Sequence, residues 1–129
     1  NLGLERDIIS VVNDQFGAPT SADLLADCSA HAIKIVLDDE SKYGLYHVAA
    51  SGVTSWYKYA LFIFDFAKKQ NKNIKVKEVI EVPSACFFRA AIRPMNSRFS
   101  SEKFQREFNL VLPEWKDGVE RMLTELMAK

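Results

Sequence analysis

At 129 residues, 48% hydrophobic and 12% aromatic, the chain is long enough for one domain with a real core and too apolar to be disordered. Its 17 Lys and Arg balance 17 Asp and Glu, so no net charge draws it to nucleic acid or an anionic membrane. Two cysteines, Cys28 and Cys86, exclude a disulfide scaffold and a thiolate metal framework, and imply reduced thiols in a cytoplasmic protein.

The opening "NLGLERD" reads as the tail of a helix belonging to a longer chain. "IISVV" (8–12) is a β-branched run that suits a buried strand. "NDQFGAPT" (13–20) follows as a turn, with Pro19 biasing Ala18 away from helix. Thr20 is expected to cap the next helix, with Asp23 as a capping-box variant. Leu25, Cys28, Ala32 and Ile35 then share one face, and the helix ends near "DDESK".

"GLYHVAAS" (44–51) reads as a second strand, and Thr54 or Ser55 caps a helix running to about Lys69. Trp56, Ala60, Ile63 and Ala67 share a face of that helix. Its apolar run "YALFIFDFA" is broken by Asp65 and is too short to span a bilayer. No secretory signal peptide is visible. The basic run "AKKQNKNIKVK" (67–77) reads as a solvated edge at a helix C-terminus. "IKVKEVIEV" (74–82) begins with period-2 alternation, a half-exposed strand that Pro83 stops. Residues 87–100 are irregular, a helix runs from Ser100 or Ser101 to about Phe108, and a terminal helix follows Pro113. Val119, Met122, Leu123 and Leu126 are expected to face inward from it. The order predicts an α/β fold with mixed strands and about four helices.

The residues lack a complete catalytic set. The glycines at 3, 17, 44, 52 and 118 form no Gly-rich phosphate loop. No Tyr has a Lys four residues on: Tyr43, Tyr46, Tyr57 and Tyr59 are followed there by His47, Ala50, Leu61 and Ile63. There is no G-x-S-x-G elbow and no H-E-x-x-H. His31 and His47 are read as structural.

"VVNDQFGAPTSADLLADC", "GLYHVAASGVTSWYKYA" and "RPMNSRFSSEKFQREFNLVLPEWKDGVERMLTELM" resemble the dTDP-4-dehydrorhamnose reductase family, within the extended short-chain dehydrogenases/reductases. The likeness covers nearly the whole chain in order. It departs at Phe87-Phe88-Arg89-Ala90-Ala91, where the family commonly has Tyr-Pro-Thr-x-Ala. The resemblance implies that residues 1–129 are the C-terminal substrate-binding portion of a Rossmann-like enzyme. The NADPH-binding domain, with its Gly-rich loop and Tyr-x-x-x-Lys pair, would lie upstream. The parent would reduce dTDP-4-dehydro-L-rhamnose to dTDP-L-rhamnose with NADPH, in bacterial dTDP-rhamnose and cell-surface polysaccharide (O-antigen) synthesis. The fragment alone would be inactive. Two alternatives are a non-catalytic regulatory protein, similar to the methionine adenosyltransferase β subunit, and another nucleotide-sugar reductase or epimerase.

By the same resemblance, Arg93 is the first candidate to meet the dTDP-sugar diphosphate, because a planar guanidinium matches phosphate oxygens. Asn96 and Ser97 bond the same ligand or close their own turn. Gln15 follows a strand, where α/β sheets place ligands, and reaches the nucleotide-sugar or braces the turn. Asp14 is read as a turn residue. Trp56 and Trp115 are read as core plugs, with base stacking as the alternative. Asp23 and Glu125 match positions that in some family members hold Mg²⁺ at a dimer interface, or serve as helix cap and solvated charge. Strand edges left open imply a homodimer or self-association, with no nucleic-acid or membrane partner.

Overall fold

The computed structural model describes residues 5–70, 74–87, 91 and 93–128. The elements in order are β1 (Ile8–Val12), β2 (Phe16–Gly17), α1 (Ala22–Asp38), β3 (Thr54–Ser55), α2 (Trp56–Lys69), β4 (Glu78–Val82), α3 (Glu102–Phe108) and α4 (Trp115–Met127). Short 3-10 turns occupy Glu40–Lys42 and Ser84–Cys86. The fold is α/β, with four complete helices among the described residues and both parallel and antiparallel pairing. At the expected N-terminal helix tail, Glu5 is helical and residues 1–4 lie outside the described set.

β1 and β4 pair in parallel, Ile8 opposite Glu78 through Val12 opposite Val82. The expected strand over 74–82 is therefore shorter: pairing begins at Glu78, although Val76 is buried. β2 and β3 form a two-residue antiparallel ladder, Phe16 opposite Ser55 and Gly17 opposite Thr54. The turn at 13–20 thus contains a strand that the sequence reading missed.

Two buried clusters hold the helices. In one, Cys28 of α1 meets Phe104, Phe108 and Leu112, with Leu24, Ala32 and Ile35 packed against it. In the other, Trp115, Val119 and Leu123 of α4 meet Ala50, with Tyr59, Phe62, Ile63 and Phe66 of α2 around them. Burial pushes the Cys28 thiol above its ordinary pKa, so it serves as a small hydrophobe.

Several expectations need correction. Ser21, not Thr20, caps α1, its hydroxyl accepting from the Leu24 amide at 3.2 Å. Thr20 instead donates to the Ala18 carbonyl and accepts from the Ala50 amide, both at 3.0 Å. Leu24 faces the core in place of Leu25, which is exposed. On α4 the inward stripe is Trp115, Val119 and Leu123, at i, i+4, i+8, whereas Met122 and Leu126 are exposed.

The segment 44–51 is not a ladder strand. Tyr46, Val48 and Ala50 do alternate inward as a strand would. Its backbone, however, bonds to side chains and to a loop. The Ala49 amide donates to Ser101 Oγ (2.9 Å), the Ala50 amide to Thr20 Oγ1, and the Ser51 amide to the Pro113 carbonyl (2.8 Å). Hydroxyls replace a neighbouring strand, so the side-chain period survives without the sheet.

Gly52 turns this segment towards β3 with φ +84, a left-handed conformation, and a Cβ there would collide with the Glu114 carboxylate. Only glycine meets both conditions without strain.

Candidate functional site

Backbone hydrogen bonds gather the candidate residues around Phe16. Its amide donates to the Met95 carbonyl and its carbonyl accepts from the Ser97 amide, each at 2.8 Å. On its other side Phe16 pairs with Ser55. Residues 15–19, 54–59 and 93–97, distant in sequence, therefore line one cleft of about 320 Å³. Phe16, Pro19, Pro94 and the half-exposed Trp56 give it an apolar wall. Gln15, Thr54, Ser55, Arg93 and Ser97 supply polar groups.

Arg93 is exposed and makes no hydrogen bond or ion pair with another described residue. It also lines a second, smaller hollow with Gln15, Ser84 and Val12, beyond the C-terminal ends of β1 and β4. Gln15 and Arg93 thus stand between two concavities, at the end of a parallel pair where α/β folds favour ligands.

Asp14 and Ser84 fix this end of the pair. The Ser84 hydroxyl and amide both donate to the Asp14 carboxylate, at 2.5 and 2.9 Å. Gln15 Nε2 donates in turn to Ser84 Oγ at 2.9 Å. Asp14 lies in the turn expected of it, while Gln15 lines the cleft and ties to Ser84 beyond β4 instead of bracing the Gly17–Thr20 turn. The side-chain bond from Ser84, aided by the Ser84 amide, lowers the Asp14 pKa from its ordinary 3.8. A depressed carboxyl stabilises the fold above the unfolded value and loses that contribution as pH falls through the folded value. Thermal stability should therefore drop on acidification below about pH 4. Ser84→Ala should flatten that part of the profile, measured by melting across pH 2–6.

Asn96 Oδ1 accepts from the Arg98 amide (3.1 Å) and from Arg98 Nε (2.8 Å), so its side chain closes its own turn. Ser97 lines the cleft. Trp115 is a core plug as expected, 5% exposed, but Trp56 is 48% exposed and faces the cleft, against expectation. Tyr59, one turn further along α2, was missed. Its phenol is pushed up by burial, so it stays protonated near neutrality. The i, i+3 spacing of Trp56 and Tyr59 directly after the Ser55 cap was the available signal.

His31 is structural, its Nε2 lying 3.0 Å from the Phe108 carbonyl at the end of α3. His47 stacks on Phe99, ring centroids 5.1 Å apart. Of the expected departure at 87–91, Phe88, Arg89 and Ala90 lie outside the described residues.

Asp23 opens α1 and Glu125 lies in the last turns of α4, yet both reach the Arg121 guanidinium, at 3.5 and 3.2 Å. Their oxygens suit a hard cation and can approach one positive point. Among the described residues no group of three His, Cys, Asp or Glu is gathered for a metal. No helix among them is long and apolar enough to cross a membrane.

The decisive comparison is with a family model for the RmlD substrate binding domain, which matches residues 1–128. The chain belongs to this family. It is 50% identical over 127 residues to the dTDP-4-dehydrorhamnose reductases of Salmonella typhimurium and Escherichia coli K12. Each match covers 98% of this chain and 42% of the relative. Among solved structures, the dTDP-4-dehydrorhamnose reductase of Bacillus anthracis in complex with NADP superposes with a TM-score of 0.77 at 38% identity. It covers 96% of this chain, which spans 40% of that one. The Clostridium acetobutylicum orthologue gives 0.80 at 32% identity, over 100% of this chain and 42% of its own. The chain thus spans about two fifths of the length of the relatives it matches.

Proposed function

We propose that this chain is the substrate-binding part of a dTDP-4-dehydrorhamnose reductase, holding the dTDP-sugar while an upstream domain holds NADPH. The observation that carries this reading is the cleft in which Arg93 stands beside Gln15, Ser97 and an aromatic wall. When bound, NADPH supplies the hydride that reduces the C4 ketone. The residues of this chain bind and orient. Arg93 offers planar donors to the diphosphate, and Gln15, anchored on Ser84, holds the loop edge in register. Asn96 shapes the loop from outside the cleft through Arg98.

The product, dTDP-L-rhamnose, would feed bacterial cell-surface polysaccharide synthesis in the cytoplasm. The relatives named above are all reductases, and none favours the regulatory or other-sugar reading. The parent is read as a homodimer. Asp23 and Glu125 are the residues here that would hold Mg²⁺ at its interface, with at least one further ligand from outside this chain's described residues.

Arg93→Ala in the full-length protein should raise KM for the nucleotide-sugar roughly ten- to hundredfold. That is the effect of losing about 1.5–3 kcal/mol of charged hydrogen bonding. Steady-state NADPH oxidation measures it, and unchanged KM and kcat would return Arg93 to a structural role.

A further inference from the structure

The hydrogen bonds that link Asp14, Ser84 and Gln15 have a direction. The three side chains are half-buried, just beyond the C-terminal ends of β1 and β4. Asp14 Oδ1 accepts from the Ser84 hydroxyl at 2.5 Å, and Oδ2 accepts from the Ser84 amide at 2.9 Å. The hydroxyl bond first, and the amide bond second, hold the Asp14 carboxyl below its ordinary 3.8, so it is an anion near neutrality. A carboxylate only accepts, and a serine hydroxyl has a single proton to give. With that proton committed to Asp14, Ser84 Oγ can meet Gln15 only as an acceptor. The network therefore decides which way round the Gln15 amide sits. Its Nε2 must face Ser84, and it does, at 2.9 Å. The other end of the amide, Oε1, accepts from no described residue. Gln15 and Arg93 both line the hollow of about 260 Å³ beyond β1 and β4, where Val12 and Ala85 are apolar neighbours. The free oxygen of Gln15 there only accepts, and the Arg93 guanidinium only donates. A matching ligand presents a hydroxyl close to an anionic group.

We propose that Asp14 and Ser84 are positioning residues: acting through Gln15, they fix its amide with the acceptor end towards the ligand, and so select a ligand hydroxyl near the anionic group that Arg93 takes. This rests on the function proposed above and adds how the binding part sets the polarity of that contact. A sugar joined to a diphosphate carries both groups. A ligand with an acceptor at the same point would face Gln15 Oε1 acceptor to acceptor, leave both unsatisfied and be rejected. Because the relay is in place before the ligand arrives, no amide rotation has to be stopped on binding.

The test is a double-mutant cycle on the full-length protein, read by calorimetric titration with dTDP-L-rhamnose. Gln15→Ala should weaken binding roughly 2- to 12-fold, as the loss of one neutral hydrogen bond does. Ser84→Ala should cost up to as much, whereas Ser84→Thr, which keeps the hydroxyl, should restore the affinity. In the Gln15→Ala background, Ser84→Ala should cost nothing more, because Ser84 acts on the ligand only through Gln15. Asp14→Asn keeps the shape and reverses the relay. The Ser84 amide claims the new carbonyl, the new NH₂ group donates to Ser84 Oγ, and the freed hydroxyl proton turns to Gln15. That variant should also weaken binding, and only while Gln15 is present, and it serves where Ser84→Ala does not fold. Losses that add in the double variants would mark a plain brace of the strand ends and overturn the positioning role. Full affinity in both Ser84→Ala and Asp14→Asn would overturn it too. Failure of the unaltered protein to bind dTDP-L-rhamnose would instead overturn the proposed function, and the positioning role with it.

Discussion

The 129-residue chain on its own should oxidise no NADPH with dTDP-4-dehydro-L-rhamnose, while the full-length protein containing it should turn over. Hydride transfer to a ketone needs a cofactor held at its pyrophosphate and a proton donor of tuned pKa beside the carbonyl. The sequence has neither a Gly-rich loop nor a Tyr with Lys four residues on. The phenol nearest the cleft, Tyr59, has its pKa raised by burial and no described lysine facing it to lower it. Losing proton transfer alone removes about 10²–10⁴ in rate, and losing cofactor orientation removes more. The measurement is the loss of NADPH absorbance under saturating substrate. Turnover above the buffer rate by the chain alone would sink the division of labour argued above.

Phe108→Ala should be the most damaging single truncation of the core. Phe108 is 2% exposed, lies 4.8 Å from the Phe104 ring and 5.0 Å from Tyr46, and so joins α3 to the extended segment and to Cys28 of α1. Removing a buried phenyl ring costs about 3–5 kcal/mol, lost transfer energy plus the cavity left behind. Against a total of about 5–15 kcal/mol for a domain, that is a large share. Urea denaturation should show the midpoint fall with little change in slope. Val111→Ala, three residues on and 91% exposed, should leave the midpoint where it is.

Much of this molecule was readable in advance because local signals agreed with tertiary need. β1, the start of α2 at the Ser55 cap, the stop at Pro83 and the end of α3 fall where period and capping chemistry put them. The failures share a cause. Thr20 lost the cap to Ser21 because its hydroxyl is wanted by Ala50, thirty residues away. The segment 44–51 kept a strand's alternation but not its ladder, because hydroxyls of Thr20 and Ser101 took its amides. Trp56 looked like a core residue because the helix period cannot tell which rim of an apolar stripe borders a cleft. Arg93, Gln15 and Ser97 were legible as candidates by resemblance. Their convergence was not, since it depends on a two-residue ladder too short to leave a pattern.

The double hydrogen bond of Phe16 to Met95 and Ser97 has a consequence for how the cleft opens. The Phe16 and Ser97 amides are locked by the same pair of segments, so neither can be released without parting the segment after β1 from the segment after Arg93. Their hydrogens should exchange with solvent in concert, at one common rate. The two walls of the cleft then behave as a single latch, and a ligand bridging them would slow both hydrogens together.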